Sequence, residues 1–448
     1  MSTAARMLLV NARLVNEDEI QAADVLIEGE RIARIAPQLR AAPADEVIDL
    51  EGRYLLPGLI DDQVHFREPG LTHKGTLATE SRAAVCGGVT SVLEMPNTDP
   101  PTTDRAGLGE KWARARGRCF ANYAFYLGAT NDNLEELRRV TRSEACGIKV
   151  FMGASTGNML VDDPDVLEGI FAHAPLPIAA HCEDSPTIWA NEAAFRARFG
   201  EDVPMDAHPA IRSAEACYKS SSLAVDLARR HGARLHVLHL STARELELFE
   251  PGPIEAKRIT AEACVHHLWF DQSRYAELGS RIKCNPAIKS PADREGLLEG
   301  VRSDLIDVIA TDHAPHTIAE KAQKYFAAPA GLPLVQHALQ VLLELHHAGR
   351  LSLERIVRKA AHNPAALFGI ADRGFIREGY FADLVAVDVD RPQRVTPQNV
   401  LYKCAWSPFE GERFGSSIYM TVLNGGIAFR AGAVAGAPRG KPLTFRER

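Results

Sequence analysis

The sequence predicts an α/β protein: a (β/α)8 (TIM) barrel carrying a small β-sandwich domain built from both chain ends. Three observations carry this expectation. Eight apolar runs of strand length recur through residues 56–377, with amphipathic stretches between most of them. Short β-type runs occupy residues 1–55 and return in residues 378–448. Six side chains suited to chemistry (His65, Asn97, Lys149, His181, His239 and Asp312) fall at or just past the C-terminal ends of separate runs. That is the face on which barrel enzymes assemble their sites.

Taken in order, the first β-type runs are 7–10, 23–27, 32–35 and 47–50, punctuated by Asn11, Gly29-Glu30 and Gly52. The barrel strands are expected at 59–64, 90–95, 121–127, 147–152, 178–181, 235–240, 259–264 and 306–310. Helical periodicity is read at 134–142, 214–230 and 291–302, then at 334–347 and 353–361. The late β-type runs are 383–389, 418–423 and 427–430. Chain ends often lie close together, so the two β-rich ends are assigned to one domain. A doubly wound open sheet is the competing architecture, but no GxGxxG follows the first barrel strand.

The 448 residues suffice for one large domain and a smaller companion, and 46% hydrophobic with 24% charged residues is ordinary for a globular protein. A net charge of −7 argues against nucleic acid or an anionic membrane as partner. No apolar stretch is long enough to span a bilayer and residues 1–10 lack a signal-peptide core, so a cytoplasmic location is expected. The eight cysteines are scattered without a CxxC pair and read as reduced core residues. Cys182 should point away from whatever His181 faces, because strand neighbours alternate.

The most informative segment is 58–70, Gly-Leu-Ile-Asp-Asp-Gln-Val-His-Phe-Arg-Glu-Pro-Gly. Alternation places Gln63, His65 and, if the strand continues, Arg67 on one side. An imidazole beside a guanidinium suits a metal next to an anionic substrate. His65, His181, His239 and Asp312 are ligand types preferred by Zn2+ or a similar ion. Lys149 lies in an apolar strand, where an ammonium is costly unless paired or neutralised. A desolvated, partly neutral amine can instead react with CO2 to give a carbamate, whose two oxygens can bridge two metals.

HFREPG at 65–70, MPNT at 95–98, GIKVFMG at 147–153, AHCED at 180–184, HVLHLST at 236–242 and ATDHAPHT at 310–317 occur in order. With the C-terminal Asn363-Pro364-Ala365, Glu378-Gly379-Tyr380 and Trp406-Ser407-Pro408-Phe409, the chain resembles dihydroorotases, cyclic amidohydrolases of the amidohydrolase superfamily, along nearly all its length. The resemblance implies hydrolysis of the ring amide of (S)-dihydroorotate to N-carbamoyl-L-aspartate in pyrimidine biosynthesis, with one or two Zn2+ per chain. It makes His65 a ligand of the first metal, Lys149 the carboxylated bridge, His181 and His239 the second-metal ligands, and Asp312 both ligand and catalytic base. Arg67, Asn97, His316, Asn285 and the Ala330-Gly331 backbone match substrate-binding positions.

Gln63 departs from the pattern, which carries histidine there. An amide oxygen is a weaker zinc ligand than imidazole, so the first metal site is the one affected. His313 and the His266-His267 pair are read as structural neighbours, since neither occupies the Gln63 position. Two alternatives are weighed: a hydantoinase, dihydropyrimidinase or allantoinase, for which Arg67 has no carboxylate to bind, and a metal-impaired scaffold subunit of aspartate transcarbamoylase. The resemblance is compatible with a homodimer and with a transcarbamoylase partner.

Overall fold

The computed structural model describes residues 5–39, 44–153 and 159–446. Five strands open the chain: β1 (Arg6–Asn16), β2 (Glu19–Glu28), β3 (Arg31–Ala36), β4 (Glu46–Asp49) and β5 (Tyr54–Pro57). Eight parallel strands follow: β6 (Leu59–Val64), β7 (Val89–Glu94), β8 (Asn122–Gly128), β9 (Gly147–Phe151), β10 (Ile178–His181), β11 (Leu235–Val237), β12 (Ile259–Cys264) and β13 (Val308–Ala310). They pair in sequence order from β6 to β13. The ends then meet: His65 N–H donates to the His313 carbonyl at 2.7 Å, and Val64 bridges His313 in parallel. This closes the barrel. Asp61 reinforces the seam by accepting from the Thr311 hydroxyl at 2.5 Å and its N–H at 3.2 Å.

Every residue of β6 to β10 is buried, as expected for parallel strands covered on both faces. Alternation sorts them. Ile148 and Val150 of β9 join the apolar layer beneath the helices, so Lys149 and Phe151 face the barrel interior. The expected helix at 291–302 forms as Pro291–Arg302, started by Ser290, whose hydroxyl accepts from Asp293 N–H while Asp293 returns the bond. The expected helix at 353–361 departs from regularity: Leu353–Val357 widens into a π-type turn at Arg358–His362, then Asn363–Phe368. The turn lets Lys359 donate to the Ile306 carbonyl at 2.6 Å beside β13.

The chain then returns to the first five strands. β14 (Leu384–Asp388), β17 (Ser417–Leu423), β18 (Gly426–Arg430) and β19 (Ala433–Val434) join them in one nine-stranded mixed sheet, while β15 (Gln393–Arg394) and β16 (Arg413–Phe414) pair separately. β1 pairs with β4 over Met7–Val10 and, past a register shift, with β5 at Arg13 and Leu14. Both ends thus share one sheet. It is pinned to the barrel by Asp383, which accepts from Asn122 at 3.0 Å and Asn424 N–H at 2.7 Å and pairs with buried Arg373.

Two strand expectations need correction. The run at 235–240 is strand only over Leu235–Val237, because the backbone turns at His239 with φ +38°. The first barrel strand stops at Val64, so Arg67 does not reach the site by continued alternation. It gets there through a turn in which its own φ is +67°.

Candidate active site

A small open-mouthed cleft lies at the C-terminal end of the barrel. Gln63, His65, Arg67, Asn97, Lys149, His181, His239, Asn285, Asp312, Ala330 and Gly331 all line it. His316 does not; it stands behind Arg67, whose Nη2 lies 3.0 Å from its Nε2. Sequence reasoning missed Phe151 and Ala314 as lining residues. Phe151 was legible, since it lies two residues beyond Lys149 on the same strand face.

Two side chains converge on Asp312. His65 Nε2 lies 2.9 Å from its Oδ1, and Gln63 Nε2 donates to the same oxygen at 3.1 Å. The other His65 nitrogen, Nδ1, faces Asn97 Oδ1 at 2.6 Å. Asn97 therefore orients His65 while its amide nitrogen faces elsewhere. Asp312 sits two residues past β13 with φ +50°.

Opposite them, His181 Nδ1 and His239 Nε2 are 3.0 Å apart. His181 Nε2 faces Glu183 Oε2 at 3.0 Å, and Arg212 pairs with the same carboxylate oxygen. Burial would raise the Glu183 carboxyl, but Arg212 and His181 outweigh it and bring it down to about 2. This buried ion pair is a second feature the sequence did not reveal. The His239 backbone N–H donates to Glu262 Oε1 at 2.8 Å. Glu262 and Asp62 flank His236 beneath the cleft; burial would lower that imidazole, yet the two carboxylates raise it to about 9.

Lys149 Nζ is fully buried without a hydrogen-bond partner among the described residues, 4.4 Å from the Phe151 ring centroid. Burial lowers its pKa to about 8. Burial likewise lowers His65, His181 and His239, keeping all three imidazoles neutral near pH 7. Neutral imidazoles, a carboxylate and an orphaned amine facing one cleft make a donor set that fits a divalent cation.

Arg67 is 4% exposed, and burial brings its pKa to about 10, which leaves it protonated. Its Nε donates to the Pro315 carbonyl at 3.1 Å. His316 stays neutral through burial and the nearby charges of Arg67, Lys74 and Lys321. The adjoining wall, Ala330-Gly331, whose Ala330 carbonyl lies 3.0 Å from His316 Nε2, is held by Lys321, whose buried ammonium donates to the carbonyls of Lys283 (2.9 Å), Pro329 (2.9 Å) and Gly331 (3.0 Å). Gly331 has φ +138°, and a Cβ there would lie 2.6 Å from the Ala314 carbonyl oxygen, so only glycine suits it.

The remaining expectations sort plainly. His313 is fully engaged, with Nε2 3.0 Å from Glu80 and Nδ1 accepting from Leu334 N–H at 2.9 Å. The Cys182 thiol contacts the Ala180 carbonyl, does not line the cleft, and is pushed up to about 12 by burial. All eight cysteines are unpaired.

Residues 54–428 match the model of the amidohydrolase family. The chain belongs to the amidohydrolase family. Among its relatives, a dihydroorotase of Halobacterium salinarum is 36% identical over 405 residues, covering 90% of this chain and 92% of the relative. An allantoinase of Solibacter usitatus is 34% identical over 426 residues, covering 93% of this chain and 92% of the relative. The L-hydantoinase (dihydropyrimidinase) of Arthrobacter aurescens superposes with a TM-score of 0.93 at 29% identity, covering 98% of this chain and 99% of that one. This amidohydrolase is therefore an enzyme of the cyclic amidohydrolase kind. Its family is typically metal-dependent, and its buried His, Asp and Glu clusters are consistent with that.

Proposed function

We propose that the enzyme is a dihydroorotase, reversibly hydrolysing the ring amide of (S)-dihydroorotate to N-carbamoyl-L-aspartate. The observation that carries this reading is Arg67: a buried, protonated guanidinium lining the cleft that contains Asp312 and Lys149. A buried cation facing a small polar cleft calls for an anion, and the planar fork of arginine suits a carboxylate. Dihydroorotate has that carboxylate; dihydrouracil, hydantoin and allantoin do not.

His65 and Asp312 would hold one divalent ion and His181 with His239 a second, bridged by Lys149 once its amine has added CO2 and lost a proton. Bound Zn2+ would supply an activated water and polarise the amide oxygen. Asp312 then accepts the proton of the attacking water and returns it to the departing ring nitrogen. Arg67 and Asn97 fix the carboxylate, while Asn285 and the Ala330-Gly331 backbone meet the ring. Asn285 Oδ1 is buried without a partner, in keeping with a group awaiting substrate.

The test is kcat/KM for dihydroorotate, dihydrouracil, hydantoin and allantoin on one zinc-replete preparation. Dihydroorotate should lead. A preference for an uncharged ring would move the enzyme to the hydantoinase or allantoinase class, the reading favoured by the Solibacter and Arthrobacter likenesses. Absence of both bound metal and turnover of any ring under zinc-replete conditions would favour the scaffold reading.

A further inference from the structure

Beside the cleft, behind Gln63, lies a second group of metal-type side chains that the proposed chemistry does not use. β12 ends at Cys264, and the helical turn Val265–Trp269 that follows brings in His266 and His267. The Cys264 Sγ and one ring nitrogen from each histidine lie within 4.8 Å of one another. All three residues are buried, at 0%, 0% and 3% exposure. The two imidazole centroids are 4.0 Å apart, with the rings inclined at 41°.

What sets this group apart is its unmet hydrogen-bonding capacity. One side of the His266 ring meets the Thr311 backbone, and its other nitrogen has no partner among the described residues. His267 has Nε2 3.1 Å from the Pro286 carbonyl, but its Nδ1 is unpartnered. Buried polar groups in native proteins almost always find a partner, so a free nitrogen on each ring beside one thiol needs an explanation. A water could serve one of them. One cation serves a nitrogen from each ring and the sulfur together, while the Pro286 carbonyl already fixes the His267 ring through its Nε2–H, as partners of metal-bound histidines do. The surroundings favour a cation: Glu262 Oε1 lies 3.4 Å from Cys264 Sγ.

We propose that Cys264, His266 and His267 form a zinc-class transition-metal site, separate from the His65, Lys149, His181, His239 and Asp312 set. Thiolate with two imidazoles is a borderline-soft donor set that selects Zn2+ over Mg2+ or Ca2+. On binding, the Cys264 S–H bond breaks, a sulfur–metal bond forms, and the proton passes to the neighbouring Glu262 carboxylate. The thiol contact to Gln63 Oε1, now 3.8 Å, is then released, which leaves that oxygen and Glu262 Oε1, 3.4 Å from the sulfur, as the further donors at hand. Gln63 Nε2 meanwhile donates to Asp312 Oδ1 at 3.1 Å. One glutamine thus joins the proposed ion to the carboxylate of the cleft, a role that a ring at position 63 would not reproduce.

The site is tested on the full-length protein loaded with Co2+ alone. Sulfur-to-cobalt charge transfer in the near ultraviolet requires a thiolate ligand, and none of the five residues of the separate set carries sulfur. The band should be present in the wild type, lost in Cys264→Ser and His266→Asn, and retained in Cys182→Ser. Metal content should fall by one ion per chain in the first two variants. Zinc-edge X-ray absorption of the wild type, which needs no variant, should show one sulfur scatterer. Absence of both sulfur signatures at saturating metal would overturn the proposal, as would a band that survives Cys264→Ser. These readouts do not depend on which ring the enzyme opens.

Discussion

Glu183 Oε2 lies 3.0 Å from His181 Nε2, on the edge of the ring away from His239. An ionised carboxylate there accepts the Nε2 proton, which leaves the Nδ1 lone pair aimed at the point that His239 Nε2 also faces. The carboxylate thus selects the tautomer a metal ligand needs. Glu183→Gln should weaken zinc retention about 10–100-fold, measured by chelator competition. It should also alter acid stability. The Glu183 carboxyl is at about 2 when folded against 4.5 ordinarily, so its contribution is present above pH 4.5 and lost as pH falls toward 2. The urea-midpoint advantage of wild type over the variant should therefore shrink across that interval.

Asp312→Asn should abolish turnover while the protein stays folded and binds substrate, because shape is kept and basicity lost. Retention of more than about a tenth of wild-type kcat, a barrier change of only ~1.4 kcal/mol, would remove Asp312 from its role as base.

Arg67→Lys should lower kcat/KM for dihydroorotate by a factor corresponding to about 1.5–3 kcal/mol, with little change in melting temperature. Any activity on dihydrouracil should change much less. An equal loss on both rings would mean that Arg67 positions the cleft and does not read the carboxylate.

Lys149→Ala should lose zinc and activity together, with partial return on adding short-chain carboxylates that can supply bridging oxygens. Crystallographic density for an unmodified lysine beside two fully occupied metal positions in active enzyme would contradict the carbamate.

Gln63→His should raise the occupancy of the His65/Asp312 position. In the wild type that position lacks one imidazole, whereas His181 and His239 keep theirs, so the His181/His239 position should fill first. Anomalous scattering at the zinc edge separates the two positions from any ion at Cys264. Equal, tight filling in the wild type, unchanged by the substitution, would show that Gln63 ligates well.

The barrel was legible because strand chemistry is local: buried parallel strands read as apolar runs, and β9 announces Lys149 by placing it between Ile148 and Val150. Arg67 is read by continued alternation, and His239 and Asp312 from their place at or just past strand ends. Each lies past the end of its strand at positive φ, where a period of two no longer applies. What stayed hidden is contact across the chain. Glu183 and Arg212 are 29 residues apart, and Gln63 and Cys264 are 201 apart. No local pattern encodes such pairs; barrel closure creates them.

The Lys321 ammonium has a consequence for how such an enzyme diverges. Its three hydrogen bonds end on main-chain oxygens, so the staple under the Ala330-Gly331 wall reads no side chain there. The residues leading into that wall can vary where their side chains are unpacked, while Phe326, set against Tyr325 and Arg196, buried Ala328 and the close approach of Gly331 to Ala314 hold the path. On the proposed reading, in which Ala330-Gly331 meets the ring, exchanging residues 327–330 between relatives should shift ring preference more than it shifts zinc retention.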